Sequence, residues 1–428
     1  MPAERPRPNA ASGAARAQNE EVAGLPTTRR VFLRRVMAAG ATLAAGSGAL
    51  AACAGESMPS KAGSALPIAT TSPGTAPTTR PVPRTSTLHL LDTPESPSGL
   101  LRIENRPGLI ATDTVRTFQL ATGVTVDYYQ DIVDDDMWLA AEQAALSARD
   151  DLGADLLILG DRATTDLIRT HRVATIDPEN VPDRSHLRRE LAEVGFDPGR
   201  ARSLPWTAGM AGLAWNSRQI VKPVVGVGDL FDPRHRGRVT MLADFRDGLG
   251  MVMGYQGHSP ADATPATVAR AAARVQAAVR AGQIARFTGN ADFADLVAGR
   301  VAIAQVRSDD MAGLRAANPA LRFAVPESGS TLFARNMVIP DTTHNQVAAE
   351  AWMDWIYDRP NYAAMIAQVG ATGVLSGLHD DLARVDPAAA ANPLIDPPTQ
   401  VWARLAVWPP IDPATEAAYT ATYLAAAH

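Results

Sequence analysis

From Leu88 onward, short apolar runs alternate with longer amphipathic stretches. Leu88–Leu91 and Leu100–Glu104 read as strands. Thr112–Thr122 predicts a helix, capped by Thr112 or Asp113 and stopped at Gly123. Val124–Tyr129 alternates apolar and polar positions, the period of a half-buried strand. Asp134–Ala148 predicts a second helix, with Asp134, Asp135 and Asp136 at the positive end of its dipole. Asp155–Leu159 is a short apolar run suited to a buried parallel strand. Further strands are expected at Ala214–Asn216, Val239–Leu242, Val301–Val306 and Met337–Ile339, and helices over Ala263–Ala281 and Val347–Ile356. This order predicts an α/β fold. There is no internal repeat.

The first 87 residues follow another logic. Thr28-Arg29-Arg30-Val31-Phe32-Leu33-Arg34 matches the twin-arginine export pattern. Val36 to Ala52 is an uncharged stretch of 17 residues, mostly Ala and Gly. It is too short and too weakly apolar for a membrane-spanning helix, and suits the central segment of a cleavable signal. It ends in Leu50-Ala51-Ala52-Cys53, the pattern in which the cysteine is lipidated and the chain is cut before it. Residues 1–52 are therefore expected to be a twin-arginine lipoprotein signal directed by Arg29 and Arg30. Residues 53–87 are expected to be the lipidated Cys53 followed by a solvated tether rich in Pro, Ser and Thr. Several acyl chains on one cysteine hold a protein stably, where one chain does not. The expected location is the outer face of the cytoplasmic membrane.

Composition sharpens this picture. Residues 1–52 carry seven Arg against three Glu, a net of +4, so the rest of the chain carries −9 of the total of −5. A basic head on an acidic body fits an exported protein, and the acidic body argues against nucleic acid as a partner. At 428 residues the chain is long enough for two domains or one large two-lobed domain. The single cysteine excludes an internal disulfide and any cysteine-based zinc site. The eight histidines are scattered without ligand spacing, and no metalloprotease, nucleophile-elbow or phosphate-loop motif is present. The expectation is a protein without enzymatic activity, cofactor or metal.

Several segments together point to a family. Phe196-Asp197-Pro198-Gly199-Arg200 is followed by Ser203-Leu204-Pro205-Trp206 and Gly212-Leu213-Ala214-Trp215-Asn216. Asp229-Leu230-Phe231-Asp232-Pro233, Asp244-Phe245-Arg246-Asp247, Phe287-Thr288-Gly289-Asn290 and Asn336-Met337-Val338-Ile339-Pro340 follow in order. From about Leu100 to Ala371 the chain resembles the spermidine/putrescine-type solute-binding proteins of ABC importers. The resemblance implies a two-lobed type II periplasmic-binding-protein fold with a hinge between the lobes and a ligand cleft. It implies lobe 1 from 88–207 plus 336–378 and lobe 2 from 208–335 plus 379–428. Partners implied are a small molecule and ABC permease subunits; the chain itself is expected to be a monomer. A sensor that keeps the fold without transport is the less favoured alternative.

In that family a polyamine lies between aromatic rings, with Asp and Glu holding its ammonium groups. Carried over by motif, the expected ligand-binding residues are Asn105, Arg106, Asp161, Arg162, Trp206, Asp244, Asp247, Arg307, Phe333 and Arg335. The acidic motif is kept as Asp244 and Asp247. Arginine stands at 106, 162, 307 and 335, where the family has residues that wall or hold a cation, and Ala371 stands where it has a Tyr. Several free guanidiniums would repel a polyamine and suit a carboxylate or phosphonate. On that ground spermidine and putrescine are expected to bind weakly, and an anionic or zwitterionic molecule to bind in their place. Asp161, Asp244, Asp247 and Asp309 could pair with the arginines and give a mixed-charge cleft instead.

Overall fold

A computed structural model describes residues 97–289 and 293–427. The export signal with Arg29 and Arg30, Cys53, the tether and the expected strand at Leu88–Leu91 lie outside the described residues, as does Asn290.

Ten strands form one mixed sheet in the order β2-β1-β3-β9-β4-β7-β5-β6, with β8 on β4 and β10 on β9. In the first half, β1 (Leu100–Glu104), β2 (Thr125–Tyr129) and β3 (Leu156–Gly160) run parallel. In the second, β5 (Val239–Leu242) lies parallel between β6 (Ile284–Thr288) and β7 (Ile303–Arg307). Two long strands belong to both halves. β4 (Ser203–Asn216) and β9 (Ser330–Val338) pair antiparallel from Ser203↔Val338 to Met210↔Leu332. β9 then edges β3, while the far end of β4 pairs with β7 and with β8 (Leu321–Ala324). β10 (Leu405–Ala406) adds a third passage between the halves beside Ser330 and Thr331.

The helices start where their caps allow. Asp134 accepts from the N–H groups of Asp136 and Met137 and opens α2 (Asp135–Ala148). The preceding helix α1 (Thr114–Thr122) is closed by Gly123 in the left-handed conformation at φ 75°. α3 (Asp161–Arg169) follows β3 without a gap. α4 (Phe245–Tyr255) is capped by Asp244, and α5 (Pro265–Arg280) by Thr264. α6 (Gln346–Tyr357) and α7 (Arg359–Val369) are packed into the first half of the molecule. α8 (Pro413–Ala426) begins after the Asp412 cap.

Each half has its own main core. The first gathers Leu101, Ile103, Leu156 and Ile158 of the strands with Trp206, Trp352 and Ile356. The second gathers Met241, Leu249, Val252, Val275 and Ile303 with Tyr419 and Tyr423 of α8. The packing departs from the expected lobe boundary at 379. Leu382, Ala389, Ala390, Ile395 and Trp402 bury against the first core, and only from Trp408 onward does the chain join the second. The physical reason is the β10 passage: the chain crosses between the halves at 405–406 rather than at 379.

Candidate functional site

β1, β3, β5 and β7 are parallel strands of the two halves, and each is followed by a residue group that lines one cleft. The carboxyl ends of parallel strands are where an open α/β sheet leaves room for a ligand, because the following helices turn away there. Arg106 follows β1, Asp161 and Arg162 follow β3, Asp244 and Asp247 follow β5, and Arg307 ends β7; all of them line a cavity of about 360 Å3. Phe333 and Arg335 enter it from β9. Arg335 lies across from Gly160, and Phe333 across from Gly209. A Cβ on Gly209 would lie 2.3 Å from Cζ of Phe333, so the bare backbone at 209 is what lets the ring lie against β4.

Two expected site residues lie elsewhere. Trp206 is fully buried, donates from Nε1 to the Leu109 carbonyl at 2.7 Å and stacks on Trp352 at 6.2 Å. Asn105 is also fully buried; its side chain donates to the Tyr128 hydroxyl and accepts from Arg106 N. Both are framework residues of the first core and do not line the cleft.

The cleft also holds charges that the sequence did not single out as ligand-binding residues. Asp134, Asp135, Asp136 and Asp166 line it from α2 and α3, Arg246 from α4 and Glu416 from α8. Eight carboxylates and five guanidiniums line the cavity, a formal excess of three negative charges.

Every one of these guanidiniums has a carboxylate partner. Arg106 pairs with Asp135 at 3.4 Å. Arg162 pairs with Asp136, and its Nε lies 3.8 Å from Glu416. Arg246 donates to the same Glu416 oxygen at 3.0 Å. Arg307 donates to Asp247 at 2.5 Å and lies 3.9 Å from Asp244. Arg335 donates to Asp309 at 2.7 Å. The guanidiniums of Arg307 and Arg335 also stand 5.1 and 5.9 Å from the Phe333 ring centroid. The fold thus builds the mixed-charge network that was the alternative to a bare cationic pocket, with each arginine beside a carboxylate.

Burial sets the protonation of this network. Desolvation raises the Asp247 pKa to about 6, with Arg307 opposing it. Burial likewise raises Asp161, although Asn336 Nδ2 and Ala334 N each donate to it at 2.9 Å. Burial works against the charge of Arg307, but Asp247, Asp244 and Asp309 together hold its pKa above the ordinary value. Among the described residues no cluster of His, Cys, Asp or Glu is arranged to hold a metal ion.

Asp244 both caps α4, accepting from Arg246 N at 2.8 Å, and lines the cleft. A capping role and a site role are thus compatible in one carboxylate. Glu416 was hidden because α8 was not foreseen. Its signal was Asp412-Pro413, an N-cap followed by proline at the first helical position.

Known proteins place this cleft in context. A model of a family described as bacterial extracellular solute-binding proteins matches residues 113–396. The putrescine/cadaverine-binding protein of Pseudomonas aeruginosa is 28% identical over 309 residues, covering 69% of this chain and 81% of that one. The spermidine/putrescine-binding periplasmic protein of Escherichia coli is 20% identical over 263 residues, covering 61% and 72%. Among solved structures, the spermidine/putrescine ABC transporter substrate-binding protein PotD of Streptococcus pneumoniae superposes with a TM-score of 0.69 at 19% identity, covering 77% of this chain and 98% of that one. The Tp0655 lipoprotein of Treponema pallidum gives 0.63 at 19% identity, covering 76% and 99%. These structures share the α/β architecture described above, the fold of two-lobed solute-binding proteins.

Proposed function

This chain belongs to the bacterial extracellular solute-binding protein family, and from that premise we propose that it captures a small organic cation of the di- or polyamine class for an ABC importer. The lobes close over the ligand in the cleft, and the closed form docks on permease subunits. No bond of the ligand is made or broken. The two lobes are 97–208 with 332–407, and 211–331 with 408–427, following the two main cores. The chain is exported by the twin-arginine route and held at the membrane by lipid on Cys53, a reading carried by the Arg29-Arg30 and Leu50-to-Cys53 motifs.

The observation that carries the ligand class is the charge balance. With each guanidinium already matched to a carboxylate, the lining keeps an excess of three negative charges, which favours a cation in a site shielded from water. The names of the relatives in Pseudomonas aeruginosa and Escherichia coli agree with this class.

One observation favours a second reading. Nη1 of Arg335 is buried and has no hydrogen-bond partner, an arrangement that suits a carboxylate or phosphonate oxygen of an anionic or zwitterionic ligand. Calorimetric titration of the full chain with putrescine, spermidine and succinate separates the two. The cation reading expects saturable one-to-one heat with a polyamine and none with succinate. Binding of succinate with no response to either amine would overturn it.

A further inference from the structure

Arg307 occupies the place in the cleft that an organic ammonium group needs. Such a group is held by a ring face and by carboxylates within hydrogen-bond reach. Phe333, Asp247 and Asp244 provide those elements together. The Arg307 guanidinium stands 5.1 Å from the Phe333 centroid, donates to Asp247 at 2.5 Å and lies 3.9 Å from Asp244. The chain thus fills its own cation subsite with a cation of its own.

The position is fixed at one end and free at the other. The backbone of Arg307 is the last residue of β7, paired with Ala211 of β4. Its side chain borders the open cavity and is 21% exposed, so the guanidinium can leave without unfolding the strand. An alternative seat is near. Asp309 acts electrostatically on Arg307, and its Oδ1 is buried without a hydrogen-bond partner.

We propose that Arg307 is a tethered internal competitor, which a cationic ligand must displace from Asp247 and Phe333, and which thereby sets the affinity of the cleft. The inference rests on the reading of the ligand as a cation. Its size follows from occupancy: when the competent, vacated form is about a tenth of the population, apparent affinity falls about tenfold. Wild-type affinity for putrescine is correspondingly modest, and removal of the guanidinium tightens it.

The test compares the full wild-type chain with Arg307→Met and Arg307→Lys by calorimetry with putrescine. Arg307→Met is expected to bind about tenfold more tightly than wild type. Arg307→Lys, which keeps a competing cation, is expected to stay within a few-fold of wild type. Arg307→Met leaves Asp247 without its partner, so Arg307→Gln, whose amide still donates to Asp247, serves the same comparison should the first variant not fold. Equal or weaker putrescine binding by the folded neutral variants overturns the inference. The two readings fail separately. Tight wild-type binding that weakens on Arg307→Met removes the competitor and leaves the cation reading intact. A wild type silent to both putrescine and spermidine, beside an Arg307→Met that binds putrescine, upholds the competitor and overturns the reading of a di- or polyamine as the native ligand.

Discussion

Asp247 is a residue through which the cleft is expected to respond to pH. It is almost wholly buried, and Arg307, Asp244 and Asp309 act on it. Its pKa of about 6 stands above the ordinary aspartate value of 3.8 because burial disfavours the charge more than Arg307 restores it. Its contribution to stability is full below the unfolded value and is lost as pH rises through about 6. Cation binding runs the other way, since the ligand needs the carboxylate. Putrescine affinity is expected to rise from about pH 5 to about pH 7, by up to about tenfold for each unit below the folded pKa. At about pH 6 binding should release a fraction of a proton, giving a calorimetric enthalpy that depends on the buffer. A flat affinity profile with no buffer dependence would remove Asp247 from the site. Trp206 shows the opposite case, a residue of suitable type for a cleft wall that the packing spends on the core. Its ring meets Trp352 and its N–H meets Leu109, and neither contact is visible in the local sequence.

At the scale of elements, α8 gives the cleft a residue that reaches both halves. Glu416, in its first turn, accepts from Arg246 of α4 and lies near Arg162 of α3, which starts from the first half. One carboxylate therefore ties guanidiniums from the two sides of the cleft. These side chains are between a fifth and a third exposed, so the pair is worth no more than about 1 kcal/mol. Glu416→Gln is expected to weaken ligand binding up to about fivefold and to shift the ligand-free chain toward a more open form. Small-angle scattering checks the second point: an unchanged radius of gyration in the ligand-free variant would leave α8 as packing alone. The long strands β4 and β9 were only partly foreseen, at Ala214–Asn216 and Met337–Ile339. The Ser203–Asn216 segment holds two Gly, three Ala and a Pro, residues that propensity disfavours in strands. It is a strand because Gly209 and Gly212 admit the rings of Phe333 and Phe323 against its backbone. Such a reason is tertiary, and no local pattern carries it.

For the whole molecule, two cores are joined by β4, β9 and the 405–406 passage, few connections for the lobe closure proposed above. On the proposed function, lipid on Cys53 would hold the protein near a permease. Cys53→Ala is expected to move the protein from the membrane to the soluble fraction while leaving purified chain able to bind putrescine. Cys53→Ala protein that still sediments with membranes would sink the lipid anchor.

The sequence alone determined the alternation of strands and helices in the first half, the acidic motif at 244–247, the family resemblance and the export and lipidation motifs, because each is written in contiguous residues. It also brought forward Arg106, Arg162, Arg307 and Arg335 as departures from the family pattern. Only the tertiary structure decided what those arginines do. Their partners Asp135, Asp136, Asp247 and Asp309 come from other elements, and Glu416 joins them from more than a hundred residues further along the chain. Charge at a position is local, but whether that charge is free for a ligand depends on what the fold sets beside it.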